Sequence, residues 1–244
     1  RGIHRPEALD PTIFSPFSSQ QLNNPNYTGN IIREDSIFRW LFAHDLYKNR
    51  RCLLPAQLVF LAYKTLSGEP IIRQTTTNGA AAGRSWEMAV YRGICEAIER
   101  DSLMIHWLNR LSPPYFDPTS FTKPSIKILL ALYDKYRIDV TILDITTAIG
   151  IPTALALVRN IGPGQATVFF STATDLDMET AIETALLDGL RAGYWRTVSN
   201  KEIAKTEGNS EIKNIQTRRT FWCNPAQVKS ANFLLKGPMK KCPV

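Results

Sequence analysis

Glu96 and Glu99 stand three residues apart in the stretch Asn78 to Asp101, NGAAAGRSWEMAVYRGICEAIERD, and Arg100 follows them directly. On a helix that spacing places both carboxylates on one side, where they can share a hard cation, and the arginine supplies a fixed positive charge beside them. Ahead of them Asn78 and Gly79 signal a turn and Gly83 a second one. A small-residue turn of this kind gives phosphate room to approach the start of a helix. At about 100° per residue, Met88, Arg92, Glu96 and Glu99 fall in one stripe, and Val90, Ile94, Ala97 and Met104 lie roughly opposite. The carboxylates are thus expected to point away from the apolar face. The same stripe also suits the solvated face of an ordinary amphipathic helix, and spacing alone separates the two readings no further.

The elements that must hold these residues follow from turns and periodicity. Ser85 is placed to cap a helix running to about Leu108. Before it, 37–43 and 53–64 are apolar runs divided by LYKNRR, which suits two strands in a hairpin, with Pro55 marking an edge where the second begins. After it, Ile126, Leu129, Leu130 and Tyr133 repeat at helical spacing. DVTILDIT, TALALVRN and ATVFFSTA then read as a meander of three strands. Asp175 or Asp177 can cap a second long helix, in which Met178, Ala181, Ile182, Ala185 and Leu186 form the apolar side and Glu179 and Glu183 lie on another. Strands in one layer and helices in another make an α+β fold. Residues 1–35, rich in Pro, Asn, Ser and Gln, are expected to run as irregular surface chain.

TTNGAAAG, EAIERD and LMIHWL, in that order, resemble the central signature of the YcaO family, in particular its azoline-forming cyclodehydratases of the thiazole/oxazole-modified microcin type. LLPAQLVFLAY with the turn Gly68 to Pro70 upstream, and DLDMETAIETALLDGL downstream, resemble the same branch. The resemblance implies a YcaO-like domain over 1–244, with mixed and antiparallel sheet and packed helices around a nucleotide cleft. It implies ATP and magnesium as cofactors, and phosphorylation of a peptide amide oxygen after a neighbouring Cys, Ser or Thr has attacked the carbonyl. Phosphate loss then leaves a thiazoline or oxazoline in a ribosomally made precursor peptide.

On this resemblance Glu96 and Glu99 match a metal-binding pair, Arg100 the arginine after it, and Asn78 and Gly79 the turn near the nucleotide. Asp188 stands where the family has a metal-binding Glu, and Arg191 where it has Gln. Met88 replaces a further Glu, with Glu87 adjacent but rotated by about 100°, and Arg92 occupies a position that is often Gln. Asp is one methylene shorter than Glu, about 1.5 Å of reach, and magnesium is strict about ligand distance. Arg92 and Arg191 are candidate phosphate clamps because guanidinium binds phosphate bidentately. The family's earlier ExxER helix does not precede Asn78. The missing ligands therefore lie in an earlier piece of a longer protein, come from another subunit, or are lost. An alternative follows: a catalytically reduced subunit that serves as scaffold for precursor binding or for an active partner. The implied partners are the precursor peptide, a ThiF-like or leader-peptide-binding protein and an FMN-dependent dehydrogenase, in a homo-oligomer or hetero-complex.

Composition narrows the remaining classes. With 244 residues, 44% hydrophobic, the chain can bury a large core, and no compositional shift divides it. It has no apolar run of membrane-spanning length and no secretory signal at its start. Cys52, Cys95, Cys223 and Cys242 form no CxxC pair and take no zinc spacing with His4, His44 and His106, so reduced thiols in a cytoplasmic protein are expected. Carboxylates near Cys95 would raise its thiol pKa, which argues for packing over nucleophilic chemistry. His106 reads either as a general base or as a core residue beside Trp107. The net charge of +7 gathers late, at Lys201, Lys205, Lys213, Arg218, Arg219, Lys236, Lys240 and Lys241 near Phe221 and Trp222. No nucleic-acid-binding module accompanies it, so a basic surface without a nucleic-acid partner is expected.

Overall fold

The structure is a computed structural model that describes residues 7–14, 17–24, 31–33, 35–73, 75–162, 165–191, 221 and 229–243. Where composition gave no reason to divide the chain, its contacts fall into two compact units, Arg1–Thr77 and Asn78–Val244. Most of the late basic cluster, with Cys223, Trp222 and His4, lies outside the described residues.

In the first unit a short helix α1 (Ser19–Leu22) precedes an antiparallel hairpin of β1 (Trp40–Asp45) and β2 (Arg50–Pro55), with Trp40 opposite Pro55 and Asp45 opposite Arg50. A hairpin forms, but not over the expected runs: β2 begins at Arg50, inside the expected divider, Pro55 ends it, and 56–64 is a 3-10 turn followed by turns and irregular chain. A ring nitrogen carries no ladder donor, and the chain leaves the sheet there as a short 3-10 turn at Ala56–Leu58. Buried Glu69 in the Gly68 to Pro70 turn accepts from Gln57 Nε2 (3.1 Å), Tyr63 Oη (2.9 Å) and the Leu66 amide (2.8 Å). The other end of the Gln57 amide accepts from Ile72 N–H at 2.9 Å, so this polar knot fixes the segment that leads toward Asn78.

The second unit carries the site. Ser85 Oγ accepts from Met88 N–H and starts α2 (Trp86–Leu108), with extended backbone at the cap. Then come β3 (Tyr115–Phe116), α3 (Pro124–Lys135), the antiparallel meander β4 (Asp139–Asp144), β5 (Thr153–Gly162) and β6 (Gln165–Thr174), α4 (Met178–Arg191) and β7 (Met239–Lys240). The sheet order is β6-β5-β4-β3-β7, antiparallel except for the β3–β7 pair. Helices and strands sit in separate layers, as the α+β reading requires.

β5 lies inside the sheet between β6 and β4, and its alternation feeds two cores. Ala154, Ala156 and Val158 face α3 and α4 with Ile126, Tyr133, Ile182 and Leu186. Leu155 and Leu157 face the opposite way, with Leu103 and Trp107 of α2 and Phe233 and Leu234 of a 3-10 segment at Lys229–Lys236. Each fully buried Leu or Ile contributes about 1.5–3 kcal/mol, so the sheet is held from both faces. α3 and α4 approach closely because Gly189 leaves room for the Tyr133 ring, whose hydroxyl donates to the Leu186 carbonyl at 2.8 Å. At the start of α4, Asp177 accepts from the Thr180 amide at 3.0 Å, so it is Asp177 of the two candidate caps that acts.

One placement is unanticipated and one expectation is corrected. Glu179, set apart from the apolar side of α4 by its spacing, is nonetheless buried, and accepts from the amide and hydroxyl of Thr122 and from the Lys123 amide, where the chain enters α3. The expected apolar side of α2 is not its packing side. Ile94 and Met104 are 48% and 45% exposed, whereas the line Cys95, Glu99, Ser102, His106 turns toward the sheet. Apolar residues surround much of this helix, so the wheel alone does not tell which side faces the strands; the aromatic anchor Trp107, seated on Phe170 and Phe233, decides it.

Candidate functional site

Two α2 carboxylates gather around one guanidinium of the same helix. Arg100 Nη2 lies 3.5 Å from Glu96 Oε1, and Arg100 Nε lies 3.7 Å from Glu99 Oε1. The pair that the spacing put on one side therefore converges on a common positive charge. Glu99 is the more deeply set, with its side chain 13% exposed against 21% for Glu96. Burial pushes the Glu99 carboxyl pKa up, and the negative charges of Glu96 and Asp188 add to this. A hydrogen bond from the Thr172 hydroxyl at 2.6 Å and the charge of Arg100 oppose it.

The loop ahead of α2 is stapled to the same helix at two points one turn apart. Gly79 N–H donates to Glu96 Oε2 at 3.0 Å, and Arg92 Nη1 donates to the Ala82 carbonyl at 3.0 Å. Gly79 has φ +79°, open to glycine and strained for other residues. Gly93 completes the seat: a Cβ there would come within 2.9 Å of the Gly79 carbonyl oxygen. Sequence reasoning missed Gly93 and Thr172, although a glycine inside a helix is itself a signal of close backbone approach.

Asn78 and Gly79 stand in the turn as expected, and Glu96 and Arg100 stand beside it. Arg92 is occupied with the loop backbone. Asp188 reaches Glu99 electrostatically, but among the described residues no group of three or more carboxylates, cysteines or histidines is arranged to hold a metal. For Arg191 the backbone places it as the last residue of α4. Met88, at the position of a family Glu, is 40% exposed.

Neighbouring polar groups are engaged within the fold. Cys95 is buried, and burial foremost pushes its thiol pKa up, with Asp175 and Glu99 adding to it against the Tyr91 hydrogen bond. Tyr91 Oη accepts from the Leu176 amide at 3.3 Å, and burial pushes its pKa to about 12. His106 is buried with Nδ1 2.8 Å from the Ser102 carbonyl, the pattern of a packed histidine that returns a hydrogen bond to its own helix.

Two carboxylates that meet one guanidinium have the charge and position to share a divalent cation arriving with a triphosphate. Magnesium commonly takes one or two protein carboxylates, completing its octahedron with phosphate oxygens and water, so the donor set fits without a third ligand. The profile described as YcaO cyclodehydratase, ATP- and Mg2+-binding, matches residues 2–241. The chain belongs to the YcaO family. Curated relatives include an uncharacterized protein of Methanothermobacter thermautotrophicus, 28% identical over 154 residues, and an uncharacterized protein in the tfuA 3' region of Rhizobium leguminosarum bv. trifolii, 31% identical over 123. These alignments cover 63% and 49% of this chain but only 40% and 29% of the relatives' own lengths.

Solved structures share the YcaO fold. The heterocyclase TruD superposes with a TM-score of 0.66 at 22% identity, covering 91% of this chain and 33% of TruD. The YcaO protein of Methanopyrus kandleri, bound with AMPPCP and Mg2+, gives 0.52 at 24%, covering 68% and 44%. The Escherichia coli microcin synthetase McbBCD complex with pro-MccB17 gives 0.58 at 17%, covering 85% and 53%.

Proposed function

We propose that this YcaO chain supplies the ATP- and magnesium-binding helix of a peptide cyclodehydratase that forms thiazoline or oxazoline rings in a ribosomally made precursor. The observation that carries this reading is the convergence of Glu96 and Glu99 on Arg100 beside the Gly79 turn. Bound magnesium would neutralise phosphate charge and fix in-line geometry for transfer. Glu96 and Glu99 are the residues that would hold it, with Asp188 adding negative charge nearby. Arg100, about half exposed, has the reach to turn from the carboxylates toward a phosphate oxygen. Asn78 and Gly79 would border the nucleotide, and Arg92 holds their loop in shape through Ala82.

In the reaction a Cys, Ser or Thr side chain of the precursor attacks the preceding amide carbonyl. The nucleophile loses its proton, the resulting oxygen takes the terminal phosphoryl group of ATP as ADP leaves, and departure of phosphate together with the amide N–H proton forms the C=N bond. A leader-binding or ThiF-like protein presents the precursor, and an FMN-dependent dehydrogenase is the partner that would aromatise the ring. A heterocyclase in complex with substrate and cofactor and the microcin synthetase complex with pro-MccB17 bound share this fold, which supports a precursor peptide among the partners.

The test combines the full-length protein, its partner, precursor peptide, ATP and magnesium. Loss of one water mass per ring, abolished by Glu99→Ala, is the expected result. A second reading, a scaffold subunit without turnover, is favoured by the exposed Met88 at an acidic position and by the engagement of Arg92 with the loop backbone. Nucleotide binding with no mass loss and no phosphate release would select it.

A further inference from the structure

β6 presents Val168, Phe170 and Thr172 on one face, and that face packs under α2 and the Lys229–Lys236 segment. Two of the three are apolar, as a buried face requires. Thr172 is the exception, 9% exposed, and its hydroxyl donates to Glu99 Oε1 at 2.6 Å. That distance is in the range of a hydroxyl bonded to an ionised carboxylate.

The bond is selective between the two oxygens. Glu99 Oε1 takes the hydroxyl and also lies nearer Arg100 Nε. In the neighbouring carboxylate, Oε2 takes Gly79 N–H and Oε1 faces Arg100. Among the described residues, Glu99 Oε2 is the one oxygen of the four that receives neither a hydrogen bond nor an ion-pair contact. The terminal torsion of a glutamate is broad, so without a partner the plane of the carboxylate would turn freely, and with it the direction in which its outer oxygen points. A donor on the strand beneath removes that freedom.

We infer that Thr172 is a positioning residue: its hydroxyl locks Glu99 so that Oε2 is the oxygen offered to a divalent cation. This rests on the reading of Glu96 and Glu99 as the cation-holding pair, and it adds the strand residue that sets their geometry. Groups of this kind, which orient a ligand without touching the metal, change metal affinity by about 10–100-fold when removed.

The test uses Mn2+ as a paramagnetic probe together with a non-hydrolysable ATP analogue. Binding to the full-length protein is followed by electron paramagnetic resonance, with a thermal melt for each variant. Thr172→Val keeps the shape and deletes the donor; it should bind Mn2+ about 10–100-fold more weakly with the same number of sites per folded chain. Thr172→Ser keeps the donor and deletes the methyl, and should retain most of the wild-type affinity. Should the valine variant lose its fold, the serine variant still decides, since a loss there as large as tenfold overturns the inference. Wild-type affinity in Thr172→Val overturns it equally. If the wild-type protein itself takes up no Mn2+ with nucleotide, the cation-site reading fails and this inference with it; if wild type and valine variant bind alike, only the inference fails.

Discussion

Glu99 and Glu179 are both largely buried helical carboxylates, yet their surroundings move them in opposite directions. At Glu99 burial wins, and its pKa is raised. A raised folded-state carboxyl favours the fold only where it is protonated, and that contribution is lost as pH rises through the raised value. At Glu179 burial also pushes upward, but the Thr122 hydroxyl, the Thr122 and Lys123 amides and the Lys123 charge outweigh it, so the pKa is lowered. Its contribution is present above the unfolded carboxyl pKa and is lost as pH falls through the depressed folded value. Glu179→Ala is expected to destabilise the fold by roughly 2 kcal/mol near pH 7, with the difference from wild type narrowing toward acid. Urea unfolding from pH 7 to pH 3 checks this. A variant within about 0.5 kcal/mol of wild type across that range would show that water replaces the carboxylate without penalty.

At the scale of elements, α2 and the loop before it form one device. Helix propensity alone favours alanine over glycine at Gly93 by about 1 kcal/mol. The contact with the Gly79 carbonyl works against it, because backbone does not yield as a side-chain end does, and such overpacking costs about 1–3 kcal/mol. Gly93→Ala is therefore expected to keep α2 helical while lifting the loop, so that Gly79 N–H leaves Glu96 and exchanges faster with solvent. Amide exchange at Gly79, compared with amides in the middle of α2, measures it. Unchanged protection at Gly79 would mean that the loop is not seated through this contact. The element-level lesson is visible in α2 as well: Ser85, Asn78 and Gly79 announce where it starts, but its packing side came from the strands beneath it.

For the whole molecule, the described thiols report on the two units. Cys52 in the first unit and Cys95 and Cys242 in the second are buried and free. Burial foremost, with Glu179 and Asp177 nearby, pushes the Cys242 pKa to about 11. All three are expected to resist alkylation at pH 7.5 and to react once the chain is unfolded, with peptide mass mapping to locate the label. Fast native labelling of Cys52 alone would mean that its unit opens independently. Among the described residues no helix is long and apolar enough to cross a membrane. The meander, the two long helices and the acidic pair were legible from sequence because each is written locally, in alternation, in caps, or in a three-residue spacing. Thr172 under Glu99, Gly93 under Gly79 and the burial of Glu179 against Thr122 join residues 73, 14 and 57 positions apart, and no local pattern encodes them. Short-range spacing determines which side chains one helix turns the same way; only the packed sheet decided what lies beneath them, because desolvation and donor placement belong to the surface a helix lands on.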